Sequence, residues 1–499
     1  MARSPDVLED PTPLDSPRVD VRVRVAWLLR SSRTAGIEGT TLSVTEMAQR
    51  LKEFGIPASA PSVSGWETGR VAPGTAVVEA YEAVLGREPG SLRGAVDMVR
   101  RTHGHGTRGV VTTPSLAELG RLTERVLGSR QPTGLDWLHF CEAALAVQPG
   151  LPGRVLRPLV DRLLSEVSRS VFTAYLTRYE ALALLRCGQY DGLVLQAARD
   201  YVEEPGNQVV AEAIGVATER ADRRCLRLVA SKLASEDPGL LRGAAIGLEN
   251  LANVSGLRPA DWDLVTEPFV AAYNAHPDDE YRRHLLSELW RALPAPVRAA
   301  TEPHLVQPVT PPPRSWEPGH VERHVAFARR AASQICLDAG IPHQPMLARL
   351  VYEAAFDPRG TRRWTATLLL MASPFRDPVA ARLAQAAERH DDATVRDAAR
   401  ELLVALGHEA STPHAIAWLD DDSPGVVGGA LVELAHTGID LPDERLDTLL
   451  ELPDPVGRRA LYYAGMTGHP SLARIAADPG HRLAPGARWW QRHGTVVTV

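Results

Sequence analysis

Along the first hundred positions, apolar residues recur at helical spacing in short segments divided by polar or glycine-bearing breaks. Val21, Val25, Leu28 and Leu29 mark one face of a first helix. A second opens at Ser43-Val44-Thr45-Glu46, a cap with glutamate three residues later, and runs through Met47, Ala48, Leu51 and Phe54. Gly55 and Pro57 stop it. A third, short helix starts near Pro61 and ends at Glu67, where Gly69 is suited to a left-handed turn. Two more run from about Gly74 to Leu85 and from about Ser91 to Arg101. The expected unit is a bundle of helices over residues 20–102, preceded by a disordered arm at 1–19 that is rich in proline and acid. Residues 103–114, with Gly, Thr and His in excess, read as a linker.

From there to about residue 494 the pattern is one helix after another, cut by Glu204-Pro205-Gly206, Asp237-Pro238, Asp357-Pro358, Asp377-Pro378 and Asp454-Pro455, with strand signals nearly absent. The predicted fold class is all-α, a small N-terminal bundle followed by an α-solenoid of paired helices. Two stretches resemble each other: Asp237 to Leu248 and Asp392 to Leu403. A weaker copy starts at Asp422-Ser423-Pro424. Each carries an acidic cap, an apolar pair, small residues and then leucines. Small residues let stacked helices approach closely, as in the second helix of a HEAT-type repeat, and a tetratricopeptide class stays open. The proline run Pro311-Pro312-Pro313 places a linker at 301–319, between one repeat block at 115–300 and a second at 320–499.

Composition narrows the picture further. Only Lys52 and Lys232 are lysines among 55 basic residues, and the net charge is −6. Residues 18–108 nonetheless hold 13 basic side chains against 9 acidic ones, so a basic head sits on an acidic remainder. Cys141, Cys187, Cys225 and Cys336 are far apart, form no CxxC pair, and read as free buried thiols of a reducing cytosol. No signal peptide or membrane span is expected.

The segment Val63-x-x-Trp66-Glu67-x-Gly69-Arg70-x-x-Pro73, with Thr45-Glu46-Met47-Ala48 opening helix 2 and Arg30 ending helix 1, resembles the Cro/C1-type helix-turn-helix family. The resemblance covers residues 20–100. It implies a DNA-binding regulator whose third helix lies in the major groove, and an ion pair between Arg30 and Glu67 that fixes that helix. Val63 and Trp66 are expected to face inward. Ser59 and the small residues after it, Pro61, Ser62, Ser64 and Gly65, are expected to face the DNA, with backbone N–H groups at the helix start suited to a phosphate. Arg22, Arg24, Arg33, Lys52 and Arg70 are the expected phosphate contacts, which strengthen binding without specifying sequence. Ala60, Pro61 and Gly65 stand where side chains able to read base edges are common, and cannot form a bidentate bond to a base.

No phosphate-loop, dinucleotide, zinc-protease or nucleophile-elbow motif stands out, so no enzymatic activity, cofactor or metal is expected. His320 and His324, with Glu322 between them, and His103-x-His105 have metal-compatible spacing but too few ligands for a site. The expected protein is a cytoplasmic, nucleoid-associated transcriptional regulator, a repressor acting as a homodimer on double-stranded DNA. Its solenoid would supply dimer contacts and a surface for a peptide, protein or small-molecule effector. The alternative is a helical-repeat interaction scaffold with a degenerate helix-turn-helix.

Overall fold

The computed structural model describes residues 7–35, 41–104, 114–128, 132–253, 256–310, 314, 316–407 and 411–498. Among these residues it is all-helical, with 27 α-helices and no β-strand. The head contains α1 (Val21–Thr34), α2 (Val44–Glu53), α3 (Ala60–Glu67), α4 (Thr75–Val84) and α5 (Ser91–Thr102). Next come α6 (Leu116–Leu127), α7 (Gly134–Ala146), α8 (Gly153–Ser168), α9 (Phe172–Cys187), α10 (Asp191–Val202), α11 (Ala211–Thr218), α12 (Arg223–Ala230) and α13 (Pro238–Asn253). They are followed by α14 (Asp263–Ala275), α15 (Glu280–Ala292) and α16 (Ala295–Thr301). The later block holds α17 (Pro318–Asp338), α18 (Pro345–Phe356), α19 (Gly360–Ala372), α20 (Arg376–Arg389), α21 (Ala393–Leu406), α22 (Thr412–Trp418), α23 (Pro424–Thr437), α24 (Asp443–Glu451) and α25 (Val456–Thr467). The chain ends with α26 (Ser471–Ala477) and α27 (Ala484–His493).

By packing, the chain divides into two compact units: Met1–Val110 with Arg314–Thr467, and Val111–Pro313 with Gly468–Val499. The two block boundaries fall inside the linkers read from the sequence. The expected partition does not hold, however. The head belongs with α17 to α25, and the last 32 residues, expected in the second block, belong with the middle of the chain. Burial decides this, because α5 is covered on nearly every side: Leu92, Ala95, Val96, Met98 and Val99 are all buried, and the charged Arg93, Asp97 and Arg100 are buried with them. Helix α4 covers one side and α19 another. At that second contact Trp364 Nε1 lies 3.3 Å from Met98 Sδ, and His103 Nε2 lies 3.1 Å from Thr365 Oγ1.

In the second unit, helices pair as α7 with α9, α8 with α10, and α11 with α13. The small-residue argument is visible at the last pair. A Cβ added to Gly243 or Gly247 would come within 2.7 Å of Ile214, so those glycines set how closely α11 and α13 approach. Asp237 caps α13 through the amides of Gly239 and Leu240, and Asp392 caps α21 through Thr394. At the weaker copy Asp422 is no cap; Ser423 holds that position on α23.

The arm does not match its expectation. Residues 7–20 form a defined coil with Asp10 and Val19 buried, held against α18 and α19 by arginines that donate to its carbonyls. Arg359 donates to Leu14 O at 2.7 Å and Asp15 O at 3.1 Å, and Arg362 donates to Leu14 O at 3.0 Å. Three of the four cysteines are buried, Cys187 is exposed, and none is in a disulfide among the described residues. No helix among the described residues is long and apolar enough to cross a membrane.

Candidate nucleic-acid interface

Helix α2 begins with the expected capping box: Glu46 N donates to Ser43 Oγ at 3.2 Å, and Ser43 N donates to Glu46 Oε2 at 2.7 Å. Helix α3 is capped by Ser59, whose hydroxyl accepts the Ser62 amide at 3.3 Å and lies 2.8 Å from Ser62 Oγ. The Val63 amide goes to Ser59 O at 3.0 Å, and Pro61 has no N–H. The supply of free amides expected at this helix start is therefore mostly consumed within the cap.

The end of α3 is clamped from below. Arg33 Nε and Nη2 donate to the two Glu67 oxygens at 2.7 and 2.6 Å, and Tyr81 Oη on α4 donates to Glu67 Oε1 at 3.1 Å. Arg33 Nη1 also reaches Leu42 O at 2.5 Å, before α2. One guanidinium thus ties together α1, the entry to α2, and α3. This corrects the expected Arg30–Glu67 pair: Arg30 is half-buried one turn back on the same face of α1. It also removes Arg33 from the phosphate contacts, because its side chain is buried and committed to Glu67.

Arg24 is removed for the same reason, more completely. Its side chain is wholly buried and pairs with Asp10 at 2.7 Å and with both Glu353 oxygens at 2.7 and 2.8 Å. Arg349 and Arg362 donate to the same glutamate at 2.9 and 2.7 Å. Burial alone would raise the Glu353 pKa; the charge and hydrogen bonds of Arg24 and Arg362 override it and hold it at about 2. Beside this cluster, Trp27 stacks on Phe375 with ring centroids 5.9 Å apart, and its indole N–H reaches Gln344 at 3.3 Å. Helix α1 is therefore bolted to α18 and the turn before α20.

The outer side of α3 carries none of this. Ser59 and Pro61 are exposed, Ser62 and Ser64 half-buried, and every hydrogen bond and ion pair of α3 among the described residues ends within the head. Arg70 is exposed and laid across the helix end, with Nη2 donating to Ser64 Oγ and Nε to Thr68 Oγ1, each at 3.0 Å. Arg22 and Lys52 are exposed, with no ion-pair partner among the described residues. Gly69 takes the left-handed conformation at φ +72°, and a Cβ there would sit 3.4 Å from Arg22 O, so the turn packs on the start of α1. Two expectations change here. Gly65 is buried under Val71 rather than facing outward, and Trp66 is half-buried, whereas Val63 is fully buried. Gln49 and Arg50, which the sequence reading passed over, are exposed on α2. Glutamine donates and accepts, and arginine donates, in the geometry that reads base edges.

The histidines of the linker and later block do other work. His324 is buried and stacked on Phe356, ring centroids 4.2 Å apart, and His320 sits 3.7 Å from Glu317. His105 lies outside the described residues. Among those residues no group of three or more metal-ligating side chains is placed to hold an ion.

No family model matches the chain, and no curated protein matches it. Among solved structures, one described as that of an engineered protein aligns with 75% of this chain and 98% of its own at 13% identity, with a TM-score of 0.23.

Proposed function

We propose that the protein is a sequence-specific DNA-binding transcriptional regulator, a repressor working in the cytoplasm on the nucleoid. One observation carries the reading: α3 is clamped rigidly along its inner side through Glu67 and left open along its outer side beside Arg70, Arg22 and Lys52. A helix held in that way can enter a major groove without reordering, while the exposed cations meet phosphates. With Ala60 and Pro61 unable to read bases, sequence preference rests on Ser62, Ser64, α2 residues such as Gln49, and DNA shape. One small module buries too little surface for tight specific binding, so the working form is a homodimer on a pseudo-palindrome.

Chromatin immunoprecipitation with sequencing, followed by anisotropy titration on the recovered sites, tests the reading. Discrete, sequence-related peaks are expected, and Arg70→Ala should weaken binding across all sequences and flatten the salt dependence by about one phosphate contact. A genome-wide absence of peaks would instead favour a helical-repeat scaffold that uses the head for protein contact. The observation on that side is the missing base-reading chemistry at Ala60, Pro61 and Gly65.

A further inference from the structure

Within the first unit, arm residues 14–15, Trp316 and one face of α17 line an open groove of about 890 Å³. Leu14, Trp316 and Val325 supply apolar wall. Its charge is divided. Glu322 is in the second turn of α17, and Asp15 lies beside Arg359 and hence Trp316 at that end, where the Arg359 charge is paired with Asp357 at 3.0 Å; Arg329 and Arg330 lie two turns beyond Glu322 along α17. Both arginines are exposed and have no ion-pair partner among the described residues. From Pro318 to Arg330 the helix face runs about 18 Å.

We propose that this groove binds a dipolar effector: a molecule with an apolar chain, a cationic end at Asp15 and Glu322, and an anionic end at Arg329 and Arg330. A singly charged amphiphile satisfies one end and leaves the charges of the other end facing its apolar chain, unpaired. The proposal deepens the regulator reading and rests on it only for the consequence of binding. The groove wall is mechanically continuous with the head. Arg359 lies 4.9 Å from the Trp316 ring centroid and donates to Leu14 O at 2.7 Å. Arg362 donates to the same carbonyl and to Glu353, and Glu353 holds Arg24 on α1. The first turn of α1 in turn supports Gly69, at the exit of α3. An occupant pressing on Leu14 and Trp316 therefore acts on the residues that seat α1, and through α1 on the turn that carries Arg70.

The test uses the full chain and 12-aminododecanoate as probe, with dodecanoate and dodecylamine as single-charge controls, in isothermal calorimetry. Hydrogen exchange over residues 10–34 is followed in the same samples. The aminoacid should bind at least ten-fold more tightly than either control. Arg329→Ser/Arg330→Ser and, separately, Glu322→Gln should each weaken it ten-fold or more. These residues are exposed, so the variants leave the core untouched. Bound probe should change exchange at residues 10–34. Equal affinity for all three ligands, no measurable heat, or binding unaffected by the variants overturns the site. Binding without any change in exchange overturns the link to α1. Neither readout involves DNA, so a failure of the DNA-binding reading shows separately, as absent protein–DNA anisotropy with probe binding intact.

Discussion

Replacing Glu353 with glutamine tests whether the head is truly part of the later repeat block. Glu353 is completely buried and accepts hydrogen bonds from Arg24, Arg349 and Arg362. Its pKa is held at about 2, against roughly 4.3 for an unperturbed glutamate. A gap of about 2.3 units corresponds to about 3 kcal/mol of stability from the ionised form. The experience that breaking a buried ion pair costs about 3–5 kcal/mol gives the same scale by another route. Because the fold prefers the carboxylate, this stability is fully present above about pH 4.3 and drains as pH falls toward 2. Urea unfolding of the first unit, followed by tryptophan fluorescence, should show Glu353→Gln less stable than the parent by about 3 kcal/mol at pH 7. The difference should shrink through the acid window. A variant within about 1 kcal/mol of the parent at pH 7, or an acid profile unchanged by the substitution, would refute the argument that this cluster fastens α1 to α18.

Glu433 on α23 offers the opposite sign. It is buried, neither carboxylate oxygen has a hydrogen-bond partner among the described residues, and burial raises its pKa to about 7. Its contribution is intact below about pH 4.3 and lost as pH rises to 7, so Glu433→Gln should gain on the order of 3 kcal/mol over the parent at pH 8 and little at pH 4, measured by urea midpoints. Arg33→Ala should destabilise the head by at least about 2 kcal/mol, since it leaves Glu67 buried without its charge partner, whereas Arg30→Ala should cost less than half as much; thermal melts compare them. Residues 1–104 expressed alone should fail to give a cooperative thermal transition, because Arg24, Trp27 and the α19-facing side of α5 would all be bared. A sharp melt would show the head to be independent.

The local rules were legible in the amino-acid order because they act over three or four residues. The Ser43–Glu46 capping box, the short α3 ending at Glu67, the turn at Gly69 and the small residues Gly243 and Gly247 all lie where periodicity and capping chemistry place them. An all-helical chain followed from the same periodicity. Choices between equivalent residues on one face were not legible. Arg30 and Arg33 are one turn apart, and only the three-dimensional position of Glu67 picks Arg33. Arg24 looked like a free surface cation because its partners, Asp10 and Glu353, come from an acidic arm and from a helix more than 300 residues away. The partition of the chain was likewise a tertiary matter. Helix α5 has too much apolar surface for its neighbours in the head, and the block that covers it is not the next one along the chain. Helix type and termini are settled by hydrogen bonds and rotamers within a turn. Which helices share a core is settled by matching apolar area and buried charge across space, and that matching has no local trace.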